Sequence, residues 1–482
     1  MFLEKDFKRP SFLVSLLSVV FLFIMIIAQL IAVGSPDIHL TLVFAITLTV
    51  LMLMTTGTKW EKVQEGVMHG CEIATIPMLI LMLIGMLIPT LIASGTIPTL
   101  IYYGLKIINP SVFLLTATLI CSVASICTGS SYTTGGTFGV AFMGISLGLG
   151  IPPAITAGAV ISGAVIGDKI SPLSDSTNLA AGVTETDLFA HVKSMFYTTV
   201  PAFVVSLILY GIIGARYSAS SIDTTVVDQI LAGISQNINI TPMYALISLI
   251  PLIAIVVMAV KKVNALAAMV IASIIAMVLA MINQGYSIIE MMAFMNYGFS
   301  IDTGVAEVNK LLNRGGIQSM MWTVSLGYLG LSYGGILEKT GIMEVLLNKM
   351  SALVKNARNL IITHVFAALI VNLISASQYV SIIIPGRMLL PAYRRLGIRS
   401  DVASRTCEDS GTVLSPLVPW GLCGVFFTGT LGVNTLEYMP FAFLCYLTPI
   451  VAIIYAITGK FIWYEKDGMI KNDVKKAAEI SG

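Results

Sequence analysis

Long runs of apolar residues, separated by short polar segments, recur along the whole chain. The clearest runs span residues 11–33, 38–57, 75–95, 241–260, 264–283 and 439–459. Each is close to the roughly 20 residues that a helix needs to cross a bilayer. The runs do not alternate polar and apolar residues, as the strands of a membrane barrel do. The pattern therefore predicts an all-α polytopic membrane protein, in which the first run is a retained span and not a cleaved signal peptide.

The composition excludes several classes of protein. Of the 482 residues, 56% are apolar and 11% are Asp, Glu, Lys or Arg, whereas an average soluble domain is about 25% charged. The net charge of +2 offers no basic surface for nucleic acid. No Walker sequence, HExxH motif or His/Cys cluster is present, so we expect no ATP-driven step, no cofactor and no transition metal. An intramembrane enzyme would need a nucleophile with a base, or metal ligands, and the sequence has neither constellation.

Short matches between the two halves of the chain recur in the same order at an offset of about 245 residues. The matches are His69-Gly70-Cys71 with Arg314-Gly315-Gly316, Ser94-Gly95 with Thr340-Gly341, Leu149-Gly150-Ile151 with Leu396-Gly397-Ile398, Ser171-Pro172-Leu173 with Ser415-Pro416-Leu417, and Pro201 with Pro449. They predict two transmembrane repeats with an intervening linker. The predicted parts are an N-terminus at 1–10, repeat 1 at 11–214, a linker at 215–240, repeat 2 at 241–464 and a tail at 465–482.

Basic residues indicate how the two repeats are oriented, because cytoplasmic loops collect Lys and Arg. They cluster near both termini and in the loops at 59–62, 261–262 and 394–399. The stretch 148–150, which corresponds to 394–399, carries no charge. This asymmetry predicts inverted repeats with an odd number of crossings in each, both termini in the cytoplasm, and the linker at 215–240 outside. Inverted repeats are typical of secondary transporters, whose site lies near the midplane at the repeat interface.

Each predicted repeat contains two short polar segments where a span should be. They are residues 128–137 and 167–178 in repeat 1, and residues 375–379 and 408–416 in repeat 2. Ser-Pro pairs at matching places favour interrupted helices or re-entrant segments, because proline breaks helical hydrogen bonding. Irregular backbone is tolerated at membrane depth only when it is buried in protein or lines a wet cavity. The four segments therefore predict a midplane site whose freed carbonyls and hydroxyls suit Na⁺ and whose helix N-termini suit an anionic group.

Four acidic residues lie at these breaks and are the candidates for ion and proton coupling: Asp168, Asp175, Glu408 and Asp409. Carboxylates within membrane spans are rare and mark ion pathways or proton relays. The alternative is a structural ion pair, such as Asp168 with Lys169 or Arg405 with Glu408. The sequence alone does not assign the proton carrier among the four acids.

Polar residues beside the acids are the candidates for binding Na⁺ and substrate. The predicted Na⁺ ligands are Ser174, Asp175, Thr177 and Asn178, with helix capping as the alternative role. The predicted substrate-binding residues are Thr128, Ser130, Ser131, Ser377, Gln378, Arg387, Ser410 and Thr412. Arg387 would clamp a carboxylate; the alternative is a snorkelling cytoplasmic anchor.

Five segments of the chain resemble the NhaC family of Na⁺/H⁺ antiporters, within the ion-transporter superfamily. They are Gly-Asp-Lys-Ile-Ser-Pro-Leu-Ser-Asp-Ser-Thr-Asn at 167–178, Glu-Asp-Ser-Gly-Thr at 408–412, Ser-Pro-Leu-Val-Pro-Trp at 415–420, Pro-Gly-Arg-Met at 385–388 and Thr-Gly-Ser-Ser at 128–131. The family pattern has Thr where this chain has Ser176.

The resemblance implies a secondary antiporter in the cytoplasmic membrane that exchanges Na⁺ for H⁺, with these ions in place of any cofactor. The family also includes exchangers of organic acids, so a Na⁺/H⁺-coupled carrier of a small organic anion (of the malate/lactate type) or of an amino acid is the alternative. The chain has Trp420-Gly421-Leu422 where the family pattern has Trp-Asn-Thr, a departure expected to widen the pocket for an organic solute. The predicted partners are the lipid bilayer and the transported solutes, and a homodimer is expected only by analogy.

Overall fold

The computed structural model describes residues 9–33, 38–217 and 224–465, and within them the protein is helical apart from one isolated antiparallel bridge between Ile398 and Tyr464. The first half contains α1 (Phe12–Val33), α2 (Ile38–Thr55), α3 (Trp60–Ala93), α4 (Thr96–Ile107), α5 (Phe113–Thr128), α6 (Ser131–Thr134), α7 (Val140–Gly148), α8 (Pro153–Ile170), α9 (Asp175–Val183) and α10 (Leu188–Gly214).

The second half begins with shorter helices and ends with a series of broken ones. It contains α11 (Thr224–Asn237), α12 (Pro242–Ser248), α13 (Ile250–Val260), α14 (Ala265–Gln284), α15 (Ile288–Tyr297), α16 (Ala306–Leu312), α17 (Met321–Lys339), α18 (Ile342–Ser351), α19 (Ala357–Ser375), α20 (Gln378–Arg395), α21 (Ser400–Cys407), α22 (Leu422–Leu431), α23 (Thr435–Tyr438) and α24 (Phe443–Thr458).

Among the described residues, nine helical segments are long and apolar enough to cross a membrane, or up to eleven if each of two bent helix pairs counts as one span. All six of the longest apolar runs lie in helices, which confirms the prediction of an all-α polytopic membrane protein. Ile24 on α1, Ile208 on α10 and Ile253 on α13 remain 55%, 55% and 56% exposed. Large exposed aliphatic side chains on several helices are typical of a surface that faces lipid.

Helix α3 from the first half and α17 from the second pack along each other at the centre of the molecule. Glycines make this approach close: a Cβ at Gly70 would lie 2.1 Å from the carbonyl oxygen of Leu331, and one at Gly335 would lie 2.2 Å from that of Gly66. Small residues let two membrane helices bring their backbones together. The contact therefore joins the two halves tightly without bulky side chains.

Several sequence matches between the halves fall at equivalent structural positions. Gly95 and Gly341 both adopt positive φ, +86° and +78°, just before α4 and α18. Gly150 and Gly397 also do so, at +67° and +66°. Pro201 lies within α10 and Pro449 within α24, each the last long helix of its half.

Another proposed match fails. Gly70 lies inside α3, whereas Gly315 and Gly316 belong to a loop before α17. The opposite orientation of the two halves in the membrane stays a prediction.

The segment predicted as a linker, residues 215–240, contains helix α11. Ile230 and Ile234 of that helix are buried, so the segment packs onto the body of the protein. The predicted N-terminus at 1–10 and tail at 465–482 lie almost entirely outside the described residues.

Candidate ion and substrate site

Three of the four predicted helix breaks are true interruptions. Helix α5 ends at Gly129, with φ +68°, and the chain becomes helical again at Ser131, where the Ser130 side chain accepts a hydrogen bond from the Thr133 amide (3.2 Å). Helix α19 ends at Ala376, with φ +56°, before α20. Residues 171–174 separate α8 from α9. The interruptions are shorter than the predicted polar segments.

The fourth predicted break, at 408–416, is partly wrong. Residues Glu408–Thr412 continue α21 as a π-helical turn, and the break follows at 413–421, around a 3₁₀-helical turn at Ser415–Leu417. A second π-helical turn spans Gly135–Gly139 between α6 and α7. Single π-helical turns are rare in proteins, and those that do occur are frequently found at functional sites.

The first three of these breaks meet around an open cavity of about 730 Å³, called here the first cavity, and no residue of the fourth break lines it. Gly129 lets two of them touch, because a Cβ there would lie 2.8 Å from the carbonyl carbon of Leu173. Eight predicted site residues line the cavity: Thr128, Ser130, Ser131, Asp168, Ser174, Asp175, Asn178 and Gln378. The cavity is also lined by Tyr132, Ser176 and Tyr379, which lie in the predicted polar segments but are not among the predicted binding residues. The apolar wall comes from α3 and from α13 and α14, and Lys262 of the turn between α13 and α14 also lines the cavity.

Asp168 is the buried acid of the first cavity. Its carboxylate accepts hydrogen bonds from the Ser131 amide (2.8 Å) and the Ser131 hydroxyl, at the start of α6. Its backbone carbonyl accepts hydrogen bonds from the hydroxyls of Ser176 (2.8 Å) and Thr177 (2.7 Å) on α9. No described Lys, Arg or His side chain forms an ion pair with it. The carboxylate is thus held rigidly at the cavity wall without an ion-pair partner among the described residues.

Of the four predicted Na⁺ ligands, Ser174, Asp175 and Asn178 line the first cavity and Thr177 does not. Asp175 is exposed to the cavity at the first turn of α9, and Ser174 lies beside it with its hydroxyl 3.0 Å from that of Ser176. Thr177 does not line the cavity, because its hydroxyl bonds the end of α8. Asn178 uses its amide nitrogen to bond the carbonyls of Pro172 (3.0 Å) and Ser174 (2.7 Å). The geometry brings Ser174 and Asp175 together, whereas Thr177 bonds the carbonyl end of α8 and does not cap the start of α9.

Behind the cavity, a buried ion cluster joins the two halves of the chain. The Lys169 ammonium pairs with the Asp409 carboxylate, which also accepts a hydrogen bond from the Thr198 hydroxyl (2.7 Å). The Arg405 guanidinium lies 3.9 Å from the other oxygen of Asp409. All four side chains are at most 3% exposed. The predicted pairs of Asp168 with Lys169 and of Arg405 with Glu408 are therefore wrong, since both cations pair with Asp409.

Glu408 is fully buried next to this cluster, on the π-helical turn. Neither of its carboxylate oxygens has a hydrogen bond of good geometry to a described residue, and the Thr412 hydroxyl also lacks one. Lys169, Asp168 and Asp409 are the charged groups around it. A buried carboxylate without partners is stable only as the neutral acid or with a cation beside it. Glu408 is therefore a group that can hold a proton or an ion.

The remaining predicted residues do not reach the first cavity. Ser377, Ser410 and Thr412 are buried outside its lining, and the Ser410 hydroxyl donates to the Thr406 carbonyl (2.6 Å). Arg387 is exposed on α20 and is not part of the lining, so the geometry does not bring it to the other candidates.

The departure at Trp420-Gly421-Leu422 is expected to widen the pocket, but in the structure it does not widen the first cavity. None of the three residues lines it. The Trp420 indole donates to the Leu373 carbonyl (2.9 Å), and the Leu422 amide donates to the Ala376 carbonyl (2.8 Å). These residues instead tie α22 to the break after α19.

The amino-acid sequence matches the Na⁺/H⁺ antiporter family over residues 8–177 and 163–460. It is 37% identical over 467 residues to the malate-2H⁺/Na⁺-lactate antiporter of Bacillus subtilis (strain 168), covering 97% of this chain and 99% of that protein. It is 36% identical over 422 residues to the Na⁺/H⁺ antiporter NhaC of Alkalihalophilus pseudofirmus, covering 87% and 90%. It is 34% identical over 463 residues to the arginine/ornithine antiporter ArcD of Halobacterium salinarum, covering 95% and 94%. All three are antiporters by name, and they differ in the solutes that their names give.

Proposed function

Because this chain belongs to the Na⁺/H⁺ antiporter family, we propose that it exchanges Na⁺ for H⁺ across the cytoplasmic membrane by alternating access. Like its relatives, it is a multi-pass membrane protein and a secondary antiporter, not an enzyme. The observation that carries the proposal is Asp168, a buried carboxylate that faces the first cavity between two helix breaks and forms no ion pair with any described residue.

Competition for Asp168 would couple the two ions. Na⁺ is a hard cation that prefers oxygen ligands, as Ca²⁺ and Mg²⁺ do, and Asp168, Asp175 and the hydroxyls of Thr128 and Ser130 all line the cavity. A single carboxylate can be neutralised by a proton or by Na⁺, but not fully by both. Release of Na⁺ on one side of the membrane would leave the carboxylate free to take a proton, which it would carry back.

The other three acids receive different roles in this proposal. Asp175 would add a second carboxylate to the Na⁺ site, because it is exposed to the same cavity. Glu408 would be a second carrier of protons, because it is buried and no hydrogen bond of good geometry to a described residue satisfies its carboxylate. Asp409 would be structural, because Lys169 and Arg405 already compensate its charge.

The orientation in the membrane follows from the distribution of basic residues. The loops at 261–262 and 394–399 carry Lys and Arg and would face the cytoplasm together with both termini. Lys262 lines the first cavity, so this cavity would open to the cytoplasm.

Proton movement in sealed proteoliposomes tests the proposed exchange. A Na⁺ gradient is imposed on the purified full-length chain, and a trapped dye reports internal pH. The wild type should move protons with Na⁺ alone, whereas Asp168→Asn should not. Asp228→Asn, which alters an exposed acid on α11, should behave as the wild type. Undiminished proton movement in Asp168→Asn would contradict the assignment of this residue.

A second candidate function is favoured by the size of the first cavity. Its volume of about 730 Å³ is within the roughly 300–1,000 Å³ of small-molecule sites and far exceeds the space that one Na⁺ occupies. The relative that aligns over 97% of this chain is a malate-2H⁺/Na⁺-lactate antiporter by name. In this function, Na⁺ and H⁺ would drive the exchange of a small organic anion. Proton movement that appears only after malate, lactate or an amino acid is added would favour it over plain Na⁺/H⁺ exchange.

A further inference from the structure

A second cavity, of about 390 Å³, lies away from the helix breaks. Its lining comes from the loops before α16 and α17, from Ile88 on α3 and from Gly429 and Thr430 on α22. Among the described residues that line it, Arg314 is the one that carries a charge. None of the predicted site residues belongs to it.

Among the described residues, no side chain compensates the charge of the Arg314 guanidinium. It forms no ion pair and no side-chain hydrogen bond with any residue in the described ranges. It lies against the C-terminal end of α22, where one terminal nitrogen would be 3.3 Å from a Cβ at Gly432. Burial lowers the pKa of Arg314, and no nearby carboxylate offsets this effect, but an arginine remains charged in proteins. A partly buried, unpaired cation is costly, and an anionic ligand would relieve that cost.

The backbone on either side of Arg314 packs closely against neighbouring backbone. Gly298, Gly315 and Gly316 all have positive φ, at +105°, +85° and +91°. The Gly316 amide donates to the Gly85 carbonyl (2.6 Å), and a Cβ at Gly298 would lie 2.6 Å from the Gly315 carbonyl oxygen. These contacts fix the loop that carries Arg314 against α3. The charged side chain is therefore presented by a rigid support.

A second polar residue of the same cavity, Thr430, also lacks a partner. Thr430 is 1% exposed, and its hydroxyl has no hydrogen-bond partner among the described residues. Buried hydroxyls are normally hydrogen-bonded, so an exception calls for an explanation. The hydroxyl is closed off from the cavity in this structure, so a carboxylate held by Arg314 would offer the missing acceptor once the Thr430 side chain turned toward it.

Aromatic side chains separate the two cavities. Tyr132 lines the first cavity and stacks on Phe426, with ring centroids 4.1 Å apart. Phe427 packs edge-on against Phe426. Thr430, which lines the second cavity, lies about one helical turn beyond Phe426 on α22. These rings therefore lie between Tyr132, which lines the first cavity, and Thr430, which lines the second.

We propose that the second cavity binds the carboxylate of a small organic anion, with Arg314 as the charged anchor and Thr430 as a hydroxyl donor. The proposal rests on the organic-anion exchange given above as the second candidate function. The planar guanidinium suits a carboxylate, which it can hold with two parallel hydrogen bonds. The single positive charge of the described lining can pair with one carboxylate group of such an anion. The cavity would collect the anion from the side of the membrane opposite the first cavity.

Equilibrium binding of radiolabelled lactate and malate to the purified full-length chain tests the site. Arg314→Gln should weaken binding about 10- to 100-fold, since it removes a charge-assisted hydrogen bond. Arg314→Lys, which keeps the charge, should recover part of the affinity, and Thr430→Val should weaken binding about 3- to 10-fold. Arg395→Gln, an exposed arginine outside the cavity, is the matched control and should bind as the wild type.

The outcomes separate this proposal from the proposed exchange. Na⁺-driven proton movement without an organic solute should be unchanged in Arg314→Gln, because that residue lies outside the first cavity. The proposal is overturned if the wild type binds neither carboxylate, if Arg314→Gln binds them as well as the wild type does, or if inorganic phosphate binds and the carboxylates do not. The last outcome would indicate a site for free phosphate or a lipid phosphate. Any of these results leaves Na⁺/H⁺ exchange to be judged by its own assay.

Discussion

Breaking the buried pair between Lys169 and Asp409 should destabilise the protein strongly. The two residues come from opposite halves of the chain, and both side chains are 0% exposed. If Asp409 is structural, as proposed, its loss should lower stability first and activity only as a consequence. The changes considered are Lys169→Met, Asp409→Asn and the double substitution of Lys169→Met with Asp409→Leu.

The expected loss in the free energy of unfolding depends on which charged group each substitution leaves without a partner. Removing one partner of a buried ion pair costs about 3–5 kcal/mol. Lys169→Met leaves Asp409 with the Thr198 hydroxyl at 2.7 Å and Arg405 at 3.9 Å, so we expect the low end, about 3 kcal/mol. Asp409→Asn leaves the Lys169 ammonium without its ion-pair partner, so we expect about 5 kcal/mol. The double substitution removes both charges and should cost at least about 2 kcal/mol less than the sum of the single changes.

Reversible unfolding in mixed detergent micelles measures these differences. Trp463 is a suitable fluorescent probe, because Arg405 of the ion cluster lies 5.2 Å from its ring. Lys193→Met removes an exposed lysine on α10 and should change the free energy of unfolding by less than about 0.5 kcal/mol.

Single substitutions that stay within about 1 kcal/mol of the wild type, and that add up in the double variant, would refute the structural role of the pair. If Asp409→Asn kept its stability but lost Na⁺-driven proton movement, Asp409 would instead be a coupling residue.

Three further predictions concern the helix crossing, the capping of α8 and the exposed arginine. Gly335→Ala places a Cβ 2.2 Å from the Gly66 carbonyl oxygen and should lower stability by about 1–3 kcal/mol; an unchanged unfolding curve would show that α3 and α17 can separate freely. Thr177→Val removes the hydroxyl that bonds the Asp168 carbonyl at 2.7 Å and should cost about 1–3 kcal/mol, with a corresponding fall in thermal stability; equal melting temperatures would contradict this. Arg387→Ala should leave lactate and malate affinity unchanged, and weakened binding would restore its predicted role as a clamp.

The helices and their interruptions were largely predictable because their signals are local. The apolar runs at 11–33 and 38–57 became α1 and α2. The polar segment at 167–178 contains a real interruption, since Pro172 lies between α8 and α9. The π-helical turn at Glu408–Thr412 could not be predicted, because its polar residues look like part of the break at Pro416. No proline lies within the turn itself, so the helix continues through it.

Ion pairing could not be predicted, because it depends on which face of a helix each residue occupies. Asp168 and Lys169 are neighbours in sequence, but consecutive residues on a helix do not face each other. Asp168 therefore lines the first cavity while Lys169 reaches Asp409 in the other half. Arg387 is a predicted clamp because it follows the polar segment 375–379 in the sequence, yet the nine residues from Gln378 carry it about 13 Å along α20.

The central claim is that Na⁺ and H⁺ compete for Asp168, and equilibrium binding of radioactive Na⁺ at a series of pH values tests it most directly. The account predicts that, in the acidic range, the apparent Na⁺ affinity of the purified wild type falls as pH falls, approaching tenfold per pH unit, since each proton bound excludes one Na⁺. Asp168→Asn should show little Na⁺ binding at any pH. A Na⁺ affinity that is the same at every pH, or that persists in Asp168→Asn, would contradict the account.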